Sequence, residues 1–143
     1  MATITDIADA VVTELNGHAF SQPFEAKRYY RPVFDLADMA ALHVSVVPKG
    51  IVIDHLDRRR NQEDVQIDVA VQKKFSTGDA AELDPLMALV EEIADFFRLR
   101  RLAAYPDAVW VRTENVPVYA PEHMDDLRQF TSVLTLTLRV MTA

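Results

Sequence analysis

The sequence predicts an α+β fold: a mostly antiparallel sheet of four or five strands, with two main helices packed on one face. Three observations lead there. The stretch Gln129–Thr142 alternates Leu134, Leu136, Leu138 and Val140 with Thr135, Thr137 and Arg139, the period of a strand with one dry face and one wet or partner-facing face. Val65, Ile67, Val69 and Val71 alternate in the same way with polar neighbours. Two segments, one near the start and one after Gly78, carry apolar residues at helical spacing instead.

Taken in order, Ile4, Ile7, Ala8, Val11 and Leu15 form the stripe of a first helix, with Thr3 as N-cap and Asp6 in its first turn. Asn16-Gly17 is expected to end it, with glycine in the left-handed conformation. Phe24 to Arg31 reads as a first strand with no clean face, which suits an edge or an interface. Pro32 ends it, and Asp35 to Met39 is expected to make one capped helical turn. Leu42, Val44 and Val46 begin a second strand. Pro48-Lys49-Gly50 interrupts it, because proline lacks an N–H and glycine permits a bend, and Ile51 to Leu56 resumes the extended path. Asp57 to Asp64 is a polar hairpin tip with Arg58, Arg59 and Arg60 at its centre, and Val65 to Val71 is the third strand.

Asp84-Pro85 has the form of an N-cap followed by proline in the first helical turn. Leu86, Leu89, Val90, Ile93, Ala94 and Phe97 then give the wide stripe of the main core helix, and Arg98, Arg100 and Arg101 are placed to complement the negative end of its dipole. Ala108 to Thr113 is a fourth strand carrying the one tryptophan, Asn115 to Glu122 is irregular because of Pro117 and Pro121, and the alternating closing strand follows. No repeat and no boundary interrupts residues 1–143, which are read as one domain.

Composition narrows the function classes. The chain has 22 acidic and 15 basic residues and a net charge of −7, which disfavours a surface that coats nucleic acid. It has no cysteine, hence no disulfide, thiolate metal site or cysteine nucleophile. Neither a signal-peptide layout at the start nor an apolar run of membrane-spanning length is present, so the chain is expected to be soluble, not secreted by a cleaved signal and not to act at a membrane. His18, His43, His55 and His123 lack metal-site spacing, and Asp54-His55-Leu56-Asp57 is more simply a solvated hairpin. Ser21, Ser45, Ser76 and Ser132 lie in no nucleophile motif, and no phosphate-binding glycine loop occurs. The expectation is therefore no enzyme, no catalytic residue, no metal and no cofactor.

What remains is surface. Lys27, Arg28, Tyr29 and Arg31 make a mixed aromatic and basic strip of the kind interfaces favour. Arg58, Arg59 and Arg60 would form a basic arm, and Asp125 and Asp126, with Asp35 and Asp38, supply acidic counterparts.

Val65–Phe75 (VQIDVAVQKKF), the helix that follows, the tryptophan strand (AVWVRTENVPVY) and above all Arg128–Val140 (RQFTSVLTLTLRV) together resemble the tail terminator, or tail completion, proteins of long-tailed bacteriophages and prophages. In that family an Arg or Gln and a Phe lead into a closing strand of alternating aliphatic and Thr residues. The resemblance implies a virion protein of the tail and neck without enzymatic activity or cofactor. Its members form a homo-hexameric ring that caps the tail-tube protein, joins it to the head–neck connector protein and lets phage DNA pass through the lumen. It carries over no fixed functional residue; it offers Arg58–Arg60 as an arm reaching a neighbour and the strands as ring contacts. A net negative subunit would also give a lumen along which DNA slides without sticking. The alternatives are a head-closure or head–tail connector protein and, from another class, a small cytoplasmic enzyme or ligand-binding domain with a pocket between helix and sheet.

Overall fold

A computed structural model describes residues 3–30, 42–76, 78–116, 118–122 and 128–142. The elements run α1 (Thr3–Asn16), β1 (Ala26–Arg28), β2 (His43–His55), β3 (Asn61–Lys74), α2 (Ala80–Phe97), β4 (Val109–Glu114) and β5 (Gln129–Thr142). The strands form one five-stranded sheet in the order β1-β2-β3-β5-β4. Every pairing is antiparallel except β1 with β2, which is parallel. The fold is thus the expected α+β class.

The alternating residues of the long strands stack into rows across the sheet, such as Val46–Val69–Leu134. These rows, the α1 stripe of Ile7, Val11 and Leu15, and the α2 stripe of Leu86, Leu89, Val90, Ile93 and Phe97 form a single buried apolar cluster. Both helices therefore cover the same face, because each has one apolar stripe to hide and the sheet offers one continuous apolar face. The opposite face is not uniformly wet. At the end carrying Ser45, Ala70, Gln72, Gln129 and Thr131 it is buried. At the other end it carries charged pairs, notably Asp64 with Arg139.

Several boundaries differ from expectation, each for a local reason. Strand β1 is three residues long, not the eight of Phe24–Arg31. A polar clamp fixes it: the Asn16 side chain donates to the Ala26 carbonyl at 3.1 Å and accepts from the Ala26 N–H at 2.8 Å. Gly17 does not adopt the left-handed conformation; its N–H closes on the Thr13 carbonyl at 3.0 Å. Strand β2 runs through Pro48 to Gly50 with one register shift, so the expected interruption is a β-bulge. Helix α2 starts at Ala80, not at Asp84-Pro85. Asp79 is its N-cap, accepting from the Glu82 N–H at 3.1 Å, and the Glu82 carboxylate accepts in turn from the Ser76 N–H. Gly78 sets up this cap with φ +70°, and a Cβ there would lie 2.9 Å from the Phe75 ring. The expected turn at Asp35–Met39 falls outside the described residues.

The arginines expected in the last turn of α2 lie beyond it, because the helix ends at Phe97 with Arg98 as its C-cap. Arg100 Nε lies 2.9 Å from Glu14 Oε2 on α1, and its guanidinium sits 3.9 Å above the Phe96 ring. Arg100 therefore joins the two helices at one end by charge and by cation–π contact.

Candidate interaction surfaces

The expected basic strip divides between two faces. Lys27 is exposed and, with Glu25, Tyr29, His43 and Ser45, lines a cavity of about 220 Å³ beside the β1–β2 edge. Arg28 turns the other way, as strand alternation requires, and meets Asp9 of α1 at 2.7 Å. Its guanidinium also lies 5.4 Å from the Tyr30 ring. Contact with the Tyr30 side chain first, and with Asp9 second, holds its pKa above the usual arginine value. Arg28 is thus already engaged within the subunit, whereas Tyr30 stands 79% exposed. Arg31, Asp125, Asp126, Asp35 and Asp38 lie outside the described residues.

Arg58, Arg59 and Arg60 do sit at a hairpin tip. Asp57 organises that tip: its Oδ1 accepts from the Arg59 N–H at 2.8 Å and from the Arg60 N–H at 2.9 Å, and its Oδ2 meets the Arg60 guanidinium at 2.8 Å. These bonds, led by the one from Arg59, hold the Asp57 carboxyl below the usual carboxylate range. Arg60 is therefore a structural part of the turn. Arg58 and Arg59 have no ion pair among the described residues, so the free positive charge of the tip is theirs.

Sequence reasoning missed the apolar character of the arm behind that tip. Ile51, Val52, Ile53 and Leu56 are 41%, 53%, 61% and 41% exposed. Strand β1 pairs with β2 only at Val44–Val46, and no described residue pairs with the outer edge of β2 beyond Val47. The signal was present in the sequence as an apolar run next to a charged tip, too long to be the tip itself. A second exposed apolar set follows at the other edge of the sheet. Val109 is 52% exposed, and Val116, Val118 and Tyr119 are 89%, 43% and 42% exposed. The loop bearing them is pinned to β5 by Asn115, whose amide donates to Ser132 Oγ and the Val133 carbonyl, and by the Ala120 N–H to the Thr131 carbonyl at 2.9 Å.

Among the described residues no group of three or more His, Asp or Glu side chains is arranged to hold a metal ion, and no helix is long and apolar enough to cross a membrane. No protein-family model and no curated protein matches this chain.

Proposed function

We propose that this chain is a structural virion protein of the tail-terminator kind. It assembles into a ring that caps a phage tail tube and joins it to the head–neck complex. The observation that carries the reading is the β2–β3 arm, a long hairpin with exposed aliphatic residues on its stem and, at its tip, two arginines without an ion pair among the described residues. An arm of that composition gains by burying its aliphatic side chains against another protein surface, at about 25 cal/mol per Å² of apolar area removed from water. The phage context comes from the resemblance of the closing strand and its neighbours to terminator proteins. The expected partners are other copies of the chain, the tail-tube protein and the connector, with DNA only passing through.

The test is light scattering and electron microscopy of the purified protein, alone and mixed with the tail-tube protein of the same phage. Rings seated on tube ends are the expected outcome. A protein that ignores the tube but binds the portal or its adaptor would transfer the assignment to head closure.

The cavity lined by Glu25, Lys27, Tyr29, His43 and Ser45 favours a second reading, a small-ligand binding domain. Its volume of about 220 Å³ is below the ~300 Å³ at which drug-sized ligand sites begin. A metabolite screen by thermal shift, repeated on a Lys27→Ala variant, separates the two readings. A shift in the parent protein that is lost in the variant would favour the ligand site.

A further inference from the structure

We propose that the β2–β3 arm of one copy packs on the loop after β4 of a second copy. Its aliphatic stem lies on Val116, Val118 and Tyr119, and Arg58 and Arg59 lie beside Glu122. This deepens the ring reading above and rests on its self-assembly part, not on its phage part.

The loop is held in place by the subunit itself. The Asn115 amide donates to Ser132 Oγ and to the Val133 carbonyl, the Ser132 hydroxyl donates in turn to the Val118 carbonyl, and the Ala120 N–H reaches the Thr131 carbonyl. Yet the side chains it presents are apolar, and Val116 is almost fully exposed. An irregular segment fixed in this way has already given up the conformational freedom that a contact would cost, as a preorganised interface does. The arm has the same character. Its ladder with β3 fixes the backbone, while Ile51, Val52 and Ile53 stay exposed. Exposed apolar clusters of this kind mark interaction sites.

One subunit cannot bring the two sets together. Ile53 pairs with Glu63, whereas Val133, an anchor of the loop, pairs with Ala70. Those two positions on β3 are roughly 23 Å apart at ~3.3 Å per residue. Strand β4, from which the loop leaves, is also at the opposite side of the sheet from β2. The arm therefore reaches such a loop only on another molecule.

Charge selects a second copy of this chain as that molecule. Arg58 and Arg59 have no ion pair among the described residues, and neither has Glu122, which is exposed. Tyr119, close to Glu122 in the loop, is partly exposed. A guanidinium suits both groups, since it forks onto a carboxylate and stacks on an aromatic ring. Apolar stem and basic tip thus meet apolar loop and acidic end in one contact, and both halves belong to this chain. Two unlike patches on one subunit are what a heterologous self-contact leaves exposed when the subunit stands alone.

The absence of native cysteine makes the test direct. A chain carrying both Ile53→Cys and Val116→Cys, oxidised at high protein concentration without tail-tube protein, should give a ladder of covalent oligomers. The two single variants mixed together should stop at a covalent dimer. A chain carrying Ile53→Cys and Leu99→Cys should not cross-link, because Leu99 is exposed but belongs to neither patch. Light scattering gives an independent readout. Glu122→Arg should weaken self-association by at least about tenfold in apparent affinity. Adding Arg58→Glu and Arg59→Glu to that chain should restore it. All of these side chains are exposed or half-exposed, so thermal melts should show that each variant folds. A monomer throughout would overturn the proposal. So would cross-links through Leu99→Cys to the same extent, or a Glu122→Arg variant that assembles as well as the parent. Rings that form on tube ends but carry no Ile53–Val116 cross-link would sink this contact and keep the tail assignment. A ladder from a protein that ignores the tube would do the reverse.

Discussion

Arg139 lies directly across the β3–β5 ladder from Asp64, with Nε 2.8 Å from Oδ1 and a second guanidinium nitrogen 3.3 Å from Oδ2. The pair is forked and partly shielded, at 36% and 21% side-chain exposure. The hydrogen bond to Asp64 is the main reason the Arg139 pKa stands above its ordinary value. A double-mutant cycle of Arg139→Ala and Asp64→Ala in urea should return a coupling of about 1 kcal/mol, at the upper end for pairs that still touch solvent. Arg139→Lys should lose most of that coupling, since an ammonium cannot fork. A coupling indistinguishable from zero would mean that aliphatic packing alone holds this end of the ladder.

Gln72 is fully buried between His43 and Thr131 in its cross-strand row, and neither amide atom has a hydrogen-bond partner among the described residues. Gln129, near it on the same face, spends its N–H on Thr131 Oγ1 at 3.1 Å and leaves its carbonyl oxygen unpaired. A buried amide without partners costs roughly 1–3 kcal/mol relative to one that is satisfied. Gln72→Met keeps the length of the side chain and removes the polar atoms, so it should raise stability by about 1 kcal/mol in thermal melts. A loss of stability would show that the amide is bridged by ordered water.

Much of the architecture was legible because it rests on period-two and helical patterns. Leu134 to Val140 and Val65 to Val71 face the core as their alternation requires, and both helix stripes lie against them. What the sequence hid depends on contacts distant along the chain. The short parallel β1 is held by Asn16, and nothing local distinguishes a clamping asparagine from one that merely ends a helix. Asp84-Pro85 drew attention from the true cap, although Asp79 and Glu82 have capping-box spacing. The basic strip looked continuous in sequence, but strand alternation gives Arg28 to Asp9 and leaves Lys27 outside. Alternation also cannot show whether a strand has a neighbour, so the lack of a described partner along the edge at Ile51–Ile53 became visible only in the sheet.

Leu99 follows the α2 cap with φ 59°, a left-handed conformation that costs an L-residue with a Cβ roughly 1–2 kcal/mol. Its side chain is 83% exposed and contributes little packing in return. The Arg100 N–H to Phe97 carbonyl bond at 3.1 Å fixes this geometry, and the salt bridge of Arg100 to Glu14 depends on it. Leu99→Gly should therefore stabilise the protein by up to about 1 kcal/mol, part of the relief being offset by the freer unfolded chain. Chemical denaturation checks the sign. A lower midpoint would mean that Leu99 packs in the assembled state and not in the single subunit.

The pKa of the Asp57 carboxyl is held below the usual carboxylate range, by the Arg59 N–H first and the Arg60 side chain second. A group with a depressed folded-state pKa contributes its full share above the unfolded-state value. That share is lost as pH falls through the depressed value. The order of the tip should therefore be independent of pH in the neutral and mildly acidic range and should fail only in strong acid, below the ordinary carboxylate pKa. Protonation would release the Arg59 and Arg60 amides and free the Arg60 guanidinium, raising the positive charge at the end of the arm. Amide-resolved hydrogen exchange against pH reads this directly, with protection at Arg59 and Arg60 vanishing together. Asp57→Asn should keep part of the backbone capping, because its side-chain oxygen still accepts, but should abolish the acid transition. If protection at both amides persists unchanged through that strongly acidic range, the hairpin backbone and not the carboxylate sets the shape of the tip.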